Sequence, residues 1–261
     1  MELSAMEMEI DTGKQGGVMT LCFNRIQKKN AITAAMYQAM ANALADAESD
    51  DAIRVVLITG HPQVFTAGND LEDFMKNPPL CADSPVFQFM HQMVRATKPV
   101  VAAVSGAAVG IGTTLLLHCD LVYAADNARF SMPFVQLGLC PEFASSLLLQ
   151  QTAGFQRAAE KLMFGESFTA ADAREMGLIN QIVSVDALPD FAHAQALKLA
   201  ALPVHSVRTT KRLMRADSRL QIEARIAEEN AAFSRLLQAP ESRDAIAAFF
   251  KKRKAGASYR I

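Results

Sequence analysis

Apolar positions along this chain alternate between two spacings. Three short unbroken runs, Val55-Val56-Leu57-Ile58, Val100-Val101-Ala102-Ala103-Val104 and Leu121-Val122-Tyr123, are bounded by glycine, proline or aspartate. Apolar residues at every position predict strands buried on both faces, the habit of a parallel sheet. Between the runs, Met36, Met40, Ala43, Leu44 and Ala47 recur at helical spacing behind Thr33, whose hydroxyl predicts an N-cap. Further helices are predicted over residues 85–96 and 111–118. Near the start, residues 6–11 and 17–23 flank Gly13, Gly16 and Gly17 and read as a hairpin. From about residue 144 the spacing is helical, broken at Ile182-Val183. Strand–helix alternation followed by a helical tail predicts an α/β fold. The expected organisation is a core domain over residues 1–200 and a C-terminal helical region over 201–261.

Composition narrows the class. A chain of 261 residues suits one large α/β domain, or a core with a smaller appendage. With 51% apolar and 20% charged residues it has ample material for a core. The net charge of -1 gives no sign of a nucleic-acid or anionic-membrane partner. Lys251-Lys252-Arg253-Lys254 is the main local basic cluster, and it equally fits a solvated helix end. Cys22, Cys81, Cys119 and Cys140 lie far apart, without disulfide or metal spacing, so no metal or redox cofactor is expected. Leu115-Leu116-Leu117 ends at His118 and Asp120, too short a run to span a bilayer. With no secretory leader pattern and no Ser-Lys-Leu ending, the expected location is cytoplasmic.

Two strand-to-helix turns combine glycine with apolar residues: residues 64–70, Val-Phe-Thr-Ala-Gly-Asn-Asp, and residues 105–114, Ser-Gly-Ala-Ala-Val-Gly-Ile-Gly-Thr-Thr. Such turns let backbone N–H groups approach a ligand, with the positive end of a following helix behind them. Two of these donors aimed at one point make an oxyanion hole. Tight helix–sheet packing would also explain the second turn. A dinucleotide fingerprint fits poorly, because Leu115 stands where its third glycine belongs and the strand ends too early.

These segments resemble the crotonase, or enoyl-CoA hydratase/isomerase, superfamily over nearly the whole chain. Asn24-Arg25 followed by Asn30-Ala31 is similar to the family's N-R-P-x-x-x-N-A, with Ile26 for proline. Residues 65–70 match F-x-A-G-x-D, residues 104–112 match the second glycine turn, and Phe249 with Lys252-Arg253-Lys254 is similar to F-x-x-K-R-K. The resemblance implies a spiral of ββα repeats with a C-terminal helical region, assembled as a homotrimer or dimer of trimers. It implies an acyl-CoA thioester substrate, with CoA entering as part of the substrate. It assigns the oxyanion-hole amides to Ala67 and Ile111. The substrate path implied by the family runs along Lys29, Ala31, Ala67, Gly68, Asn69, Asp70, Leu71, Gly110 and Ile111, with Lys251 and Lys252 on the basic helix. Asp70 itself reads better as the N-cap of a helix starting at Leu71.

Carboxylates decide the reaction. Hydratase-like relatives carry one glutamate three residues after the second oxyanion-hole position and another twenty further on. Thr114 and Phe134 stand there instead. Residues 134–146 resemble the P-F-x-x-L-G-x-x-P-E-x-x-S-S pattern of peroxisomal-type Δ3,Δ2-enoyl-CoA isomerases, which implies Glu142 as a single base. Near a helix N-terminus that glutamate is expected to stay ionised at neutral pH, with partial burial raising its basicity. It also fits an ordinary first-turn glutamate. Ser145 and Ser146 read either as acyl-pocket residues or as plain helix. His61, His91, His118, His193 and His205 have no triad-like company, and Cys140 reads as a small hydrophobe. Leu220, Ile226, Ala227, Phe233 and Leu237 form an apolar stripe that fits a subunit interface or burial within one chain. The leading expectation is an enoyl-CoA isomerase, with a hydratase or other acyl-CoA activity and a non-catalytic acyl-CoA-binding subunit as the rivals.

Overall fold

The computed structural model describes residues 9–254, apart from 80 and 82. In chain order it forms β1 (Ile10–Gln15), β2 (Val18–Phe23), α1 (Ala34–Ser49), β3 (Val55–Thr59), β4 (Val64–Thr66), α2 (Leu71–Lys76) and α3 (Pro85–Arg95). Next come β5 (Val100–Val104), β6 (Ala107–Val109), α4 (Ile111–Thr114), a 3-10 turn at Leu115–His118, β7 (Leu121–Ala125) and β8 (Arg129–Ser131). The remainder is α5 (Ser145–Ala153), α6 (Phe155–Phe164), β9 (Phe168–Thr169), α7 (Ala170–Glu175), β10 (Gln181–Val183), α8 (Leu188–Ala200), α9 (Val204–Arg215), α10 (Arg219–Leu237) and α11 (Pro240–Lys254).

Strands are shared between a six-stranded sheet, β1-β2-β3-β5-β7-β10, and a four-stranded sheet, β4-β6-β8-β9. The large sheet is parallel except for the β1–β2 hairpin, and the small one is parallel except for β8–β9. After the β1-β2-α1 start, successive turns of the chain lay one strand in each sheet before the helix: β3-β4-α2, β5-β6-α4 and β7-β8-α5. This is the predicted spiral of ββα repeats.

The alternation of a strand explains how one apolar run feeds two cores. Val55, Leu57, Val101, Ala103 and Tyr123 face α8 through Leu188, Ala192 and Ala196. Their neighbours Val56, Ile58, Val100, Ala102 and Val122 join α1 and α3, whose Met36, Met40, Phe89 and Met93 are buried.

Some expectations are corrected. The hairpin turns at Gly16-Gly17, both left-handed (φ 59° and 83°), as a two-residue loop requires, and Gly13 lies inside β1. Residues 6–8 of the predicted first strand lie outside the described residues. The predicted glycine turns each contain a three-residue strand, β4 and β6, and two-residue β9 interrupts the helical tail. These strands are too short to show a period. In the C-terminal stripe, Ile226 is buried and Phe233 and Leu237 pack on the same core, so burial within the chain accounts for them, while Leu220 is exposed. Among the described residues no helix is long and apolar enough to cross a membrane.

Gly106 marks where the chain passes from one sheet to the other. Its φ is +64°, and an added Cβ would stand 1.9 Å from the Gln63 carbonyl oxygen. Gly106→Ala is expected to cost more than about 2 kcal/mol, read by urea unfolding.

Candidate active site

The two glycine turns meet at the bottom of a cleft of about 580 Å³. A Cβ on Gly68 would lie 2.7 Å from the Val109 carbonyl oxygen, and one on Gly112 would lie 2.5 Å from the Thr66 methyl. Only glycine permits this approach, and Gly68 is also left-handed (φ +82°). Lys29, Ala31, Ala67, Gly68, Asn69, Asp70, Leu71, Gly110 and Ile111 all line the cleft. Phe134, Leu137 and Leu139 form an apolar side, and Phe233 and Phe249 reach in from α10 and α11. Lys251, exposed on α11, is not among the lining residues.

The amide expected as the first donor is already engaged. The Ala67 N–H donates to the Lys29 carbonyl at 3.0 Å, so it is occupied. The Gly68 N–H donates to Thr66 Oγ1 at 3.1 Å and the Asp70 N–H to the Ile32 carbonyl at 2.9 Å. Asn69, between them, has an N–H with no acceptor among the described residues. Ile111 opens α4, where a helix leaves its first amides unpaired, and its N–H likewise finds no acceptor there. Asn69 and Ile111 therefore each present an open amide among the residues that line the cleft.

The rest of the first turn is braced. Asp70 caps α2 through Oδ1, which accepts from the Glu72 and Asp73 amides. Its Oδ2 takes Arg25 Nη1 at 2.7 Å, and Arg25 also donates to the Ala31 carbonyl at 2.9 Å. Burial works to raise the Asp70 carboxyl, but Arg25 and the helix amides overcome it and hold it below its ordinary value. Tyr37, buried on α1, donates its hydroxyl to Asn69 Oδ1 at 2.5 Å.

Glu142 is 5% exposed and lies outside the lining of the cleft. Buried Thr114, one turn along α4 from the lining Ile111, donates its Oγ1 hydroxyl to Glu142 Oε1 at 2.5 Å. Burial pushes this carboxyl up to about 8, the Thr114 hydrogen bond works the other way, and the charge of Glu229 raises it further. The expectation of an ionised glutamate at neutral pH is thus corrected, and the reason is geometric. The helix begins at Ser145, and its free amides are taken by a different carboxylate. Glu229 Oε2 accepts from the Ala144 N–H at 2.6 Å, and Oε1 accepts from the Ser146 N–H at 3.0 Å and the Ser146 hydroxyl at 2.5 Å.

The segment between the two carboxylates is contorted. Phe143 and Ala144 are left-handed (φ 57° and 55°), a conformation that costs about 1–2 kcal/mol for each side-chain-bearing residue. His118 supports it, with Nε2 2.8 Å from the Phe143 carbonyl and its ring stacked on Phe143. Burial drops the imidazole to about 3, so His118 is neutral and Nε2 donates. Ser145 Oγ donates to the Glu142 carbonyl at 2.6 Å. Ser145 and Ser146 therefore brace the segment rather than line the cleft. Sequence reading missed Tyr37 and Glu229. Tyr37 sits in an ordinary helical stripe, and Glu229 lies 85 residues from Ala144 with no local pattern linking them.

The enoyl-CoA hydratase/isomerase family profile matches residues 13–257. The chain is 36% identical over 221 residues to enoyl-CoA delta isomerase 2 of Rattus norvegicus, covering 82% of this chain and 56% of that protein. It therefore spans little more than half the length of that relative. It is 31% identical over 246 residues to 2,3-dehydroadipyl-CoA hydratase of Escherichia coli, covering 94% of this chain and 96% of that one. Among solved structures, Pseudomonas aeruginosa OdaA superposes with a TM-score of 0.90 at 46% identity, over 93% of this chain and 98% of that one. A matching profile over nearly the full length, the shared spiral fold and the paired glycine turns give one conclusion: the chain belongs to the enoyl-CoA hydratase/isomerase family.

Proposed function

We propose that this protein is a Δ3,Δ2-enoyl-CoA isomerase with Glu142 as its single base. The observation that carries the reading is Glu142 itself. It is a desolvated carboxyl pushed up to about 8 and held by Thr114, which occupies the place of a hydratase glutamate. In this reading the thioester oxygen sits between the Asn69 and Ile111 amides. Glu142 takes a proton from C2 of a 3-enoyl thioester, and the electron pair delocalises into a dienolate whose oxygen the amides hold. Protonated Glu142 then returns the proton to C4, and the double bond ends between C2 and C3. No atom is gained or lost, so one carboxyl suffices. Each amide contributes about 3 kcal/mol to the enolate-like transition state in a dry site. A base near the operating pH is a better match to a weak carbon acid than an ordinary carboxylate.

Exposed Lys28 and Lys29 on the cleft rim suit the phosphates of CoA, and the backbone between them and Ala31 is fixed by the Lys29–Ala67 bond. Lys251, two residues beyond the lining Phe249, is proposed as a further CoA contact. Exposed Leu213, Met214 and Leu220 on α9 and α10 support assembly as a homotrimer or dimer of trimers. Hydration is the second reading, because Glu72 and Glu166 also line the cleft and would supply the additional carboxylate.

Purified protein is expected to convert trans-3-hexenoyl-CoA to the conjugated 2-enoyl thioester without hydrating a 2-enoyl-CoA. Hydration alone would refute the single-base reading, and acyl-CoA binding without turnover would favour a binding subunit. Glu142→Gln should lower kcat at least about a hundredfold with the fold intact. Because the base form must be present, kcat/KM of the parent should climb with pH toward about 8. Stability carries the opposite sign. The folded carboxyl holds its proton more tightly than the unfolded one, so parent stability falls between about 4.5 and about 8. The Gln variant lacks this loss, and thermal melts should show its relative stability growing across that window. Ile111→Pro removes one proposed donor at a first helical position that tolerates proline, and should lower kcat about 100–1000-fold with an unchanged circular dichroism spectrum.

A further inference from the structure

Glu229 is a second buried carboxylate, 5% exposed on α10, and the isomerase chemistry leaves it no direct task. All three hydrogen bonds of its carboxylate end on Ala144 and Ser146, just after Glu142. Ala144 occupies the N-cap position of α5 but has no side-chain oxygen to cap it, so Glu229 caps this helix from across the fold. The same contacts pin the left-handed Phe143-Ala144 pair. We propose that Glu229 is the positioning residue of the base: it clamps residues 142–146 so that Glu142 meets Thr114, and it places a fixed negative charge beside that base.

Chemistry on both sides supports the assignment. Burial raises the Glu229 carboxyl, while the Ser146 and Ala144 donors and Arg225 pull against it. Three donors converge on its two oxygens, an arrangement suited to the acceptor-only ionised form. Glu142 has one hydroxyl donor and no helix amide, so of the two it is the group that takes up the proton. The other titratable neighbours carry no charge at working pH. Burial raises Tyr37 well above its ordinary value and Cys140 to about 11, and His118 behind Phe143 is neutral. Arg225, on the same helix as Glu229, acts on the clamp.

The inference rests on Glu142 as the base, so its test includes a readout independent of turnover. The infrared carboxyl band lost in Glu142→Gln reports Glu142, and its titration can be followed in any variant. Glu229→Gln removes the neighbouring charge, and the Glu142 midpoint should fall by about one pH unit. The rising limb of kcat against pH should move down with it. At the optimum kcat should fall about tenfold with KM unchanged, because the cleft lining is untouched. Ser146→Ala deletes one side-chain donor and keeps both backbone donors. It should lower kcat about threefold, again with KM unchanged, and it carries the kcat test should Glu229→Gln fail to fold. A Glu142 midpoint unmoved in Glu229→Gln, with only the melting temperature lowered, would overturn the proposal. So would unchanged kcat in Ser146→Ala. A parent that titrates as described but does not isomerise would instead sink the base assignment and leave the charge coupling standing.

Discussion

Keeping a carboxyl group out of water without a cation beside it is the constraint on which the rest of this site depends. A desolvated carboxyl keeps its proton, and one given helix amides or an arginine surrenders it. Asp70 and Glu142 are treated in opposite ways. Asp70 receives Arg25 and two amides and is held as a fixed anion that caps a helix. Glu142 receives a single hydroxyl, and the amides that would have ionised it are given to Glu229. The left-handed backbone at Phe143 and Ala144 is what separates Glu142 from those amides.

The open amides and the buried carboxyl come from different layers of the molecule. Asn69 and Ile111 lie where consecutive turns of the spiral touch, and the Gly68 and Gly112 contacts leave that approach little slack. Glu142 comes from a loop after the last parallel strand of the small sheet, braced by side chains rather than by sheet hydrogen bonds. A rigid pair of amides with a separately supplied carboxyl fits a family whose members include proteins named as isomerases and as hydratases.

Much of this was legible in the sequence because it is local. The three apolar runs fixed the parallel strands, Thr33 and Asp70 marked helix starts that the structure repeats, and the glycine turns pointed to the cleft. What escaped is of three kinds. Strands β4, β6 and β9 have too few residues to display alternation. In the first turn the Ala67 amide is engaged and that of Asn69 is open, because a motif names residues but not which amides their own backbone has already used. The protonation of Glu142 depends on Glu229 and on burial, and both are properties of the folded chain. Proximity to a helix N-terminus in sequence did not bring the carboxyl onto its amides.

The bond from Glu229 to Ala144 and Ser146 also sets an order of events in synthesis. Both sheets, apart from β10, and the glycine turns are encoded before residue 170, so they can associate while the chain is still growing. The cap on α5 has to wait for a helix encoded much later, and closing so wide a loop is a slow, non-local step. A chain grown only that far would therefore have both glycine turns but lack the Glu229 contacts that hold residues 144–146. The docking of α10 completes the N-cap of α5 and, with it, the setting of Glu142.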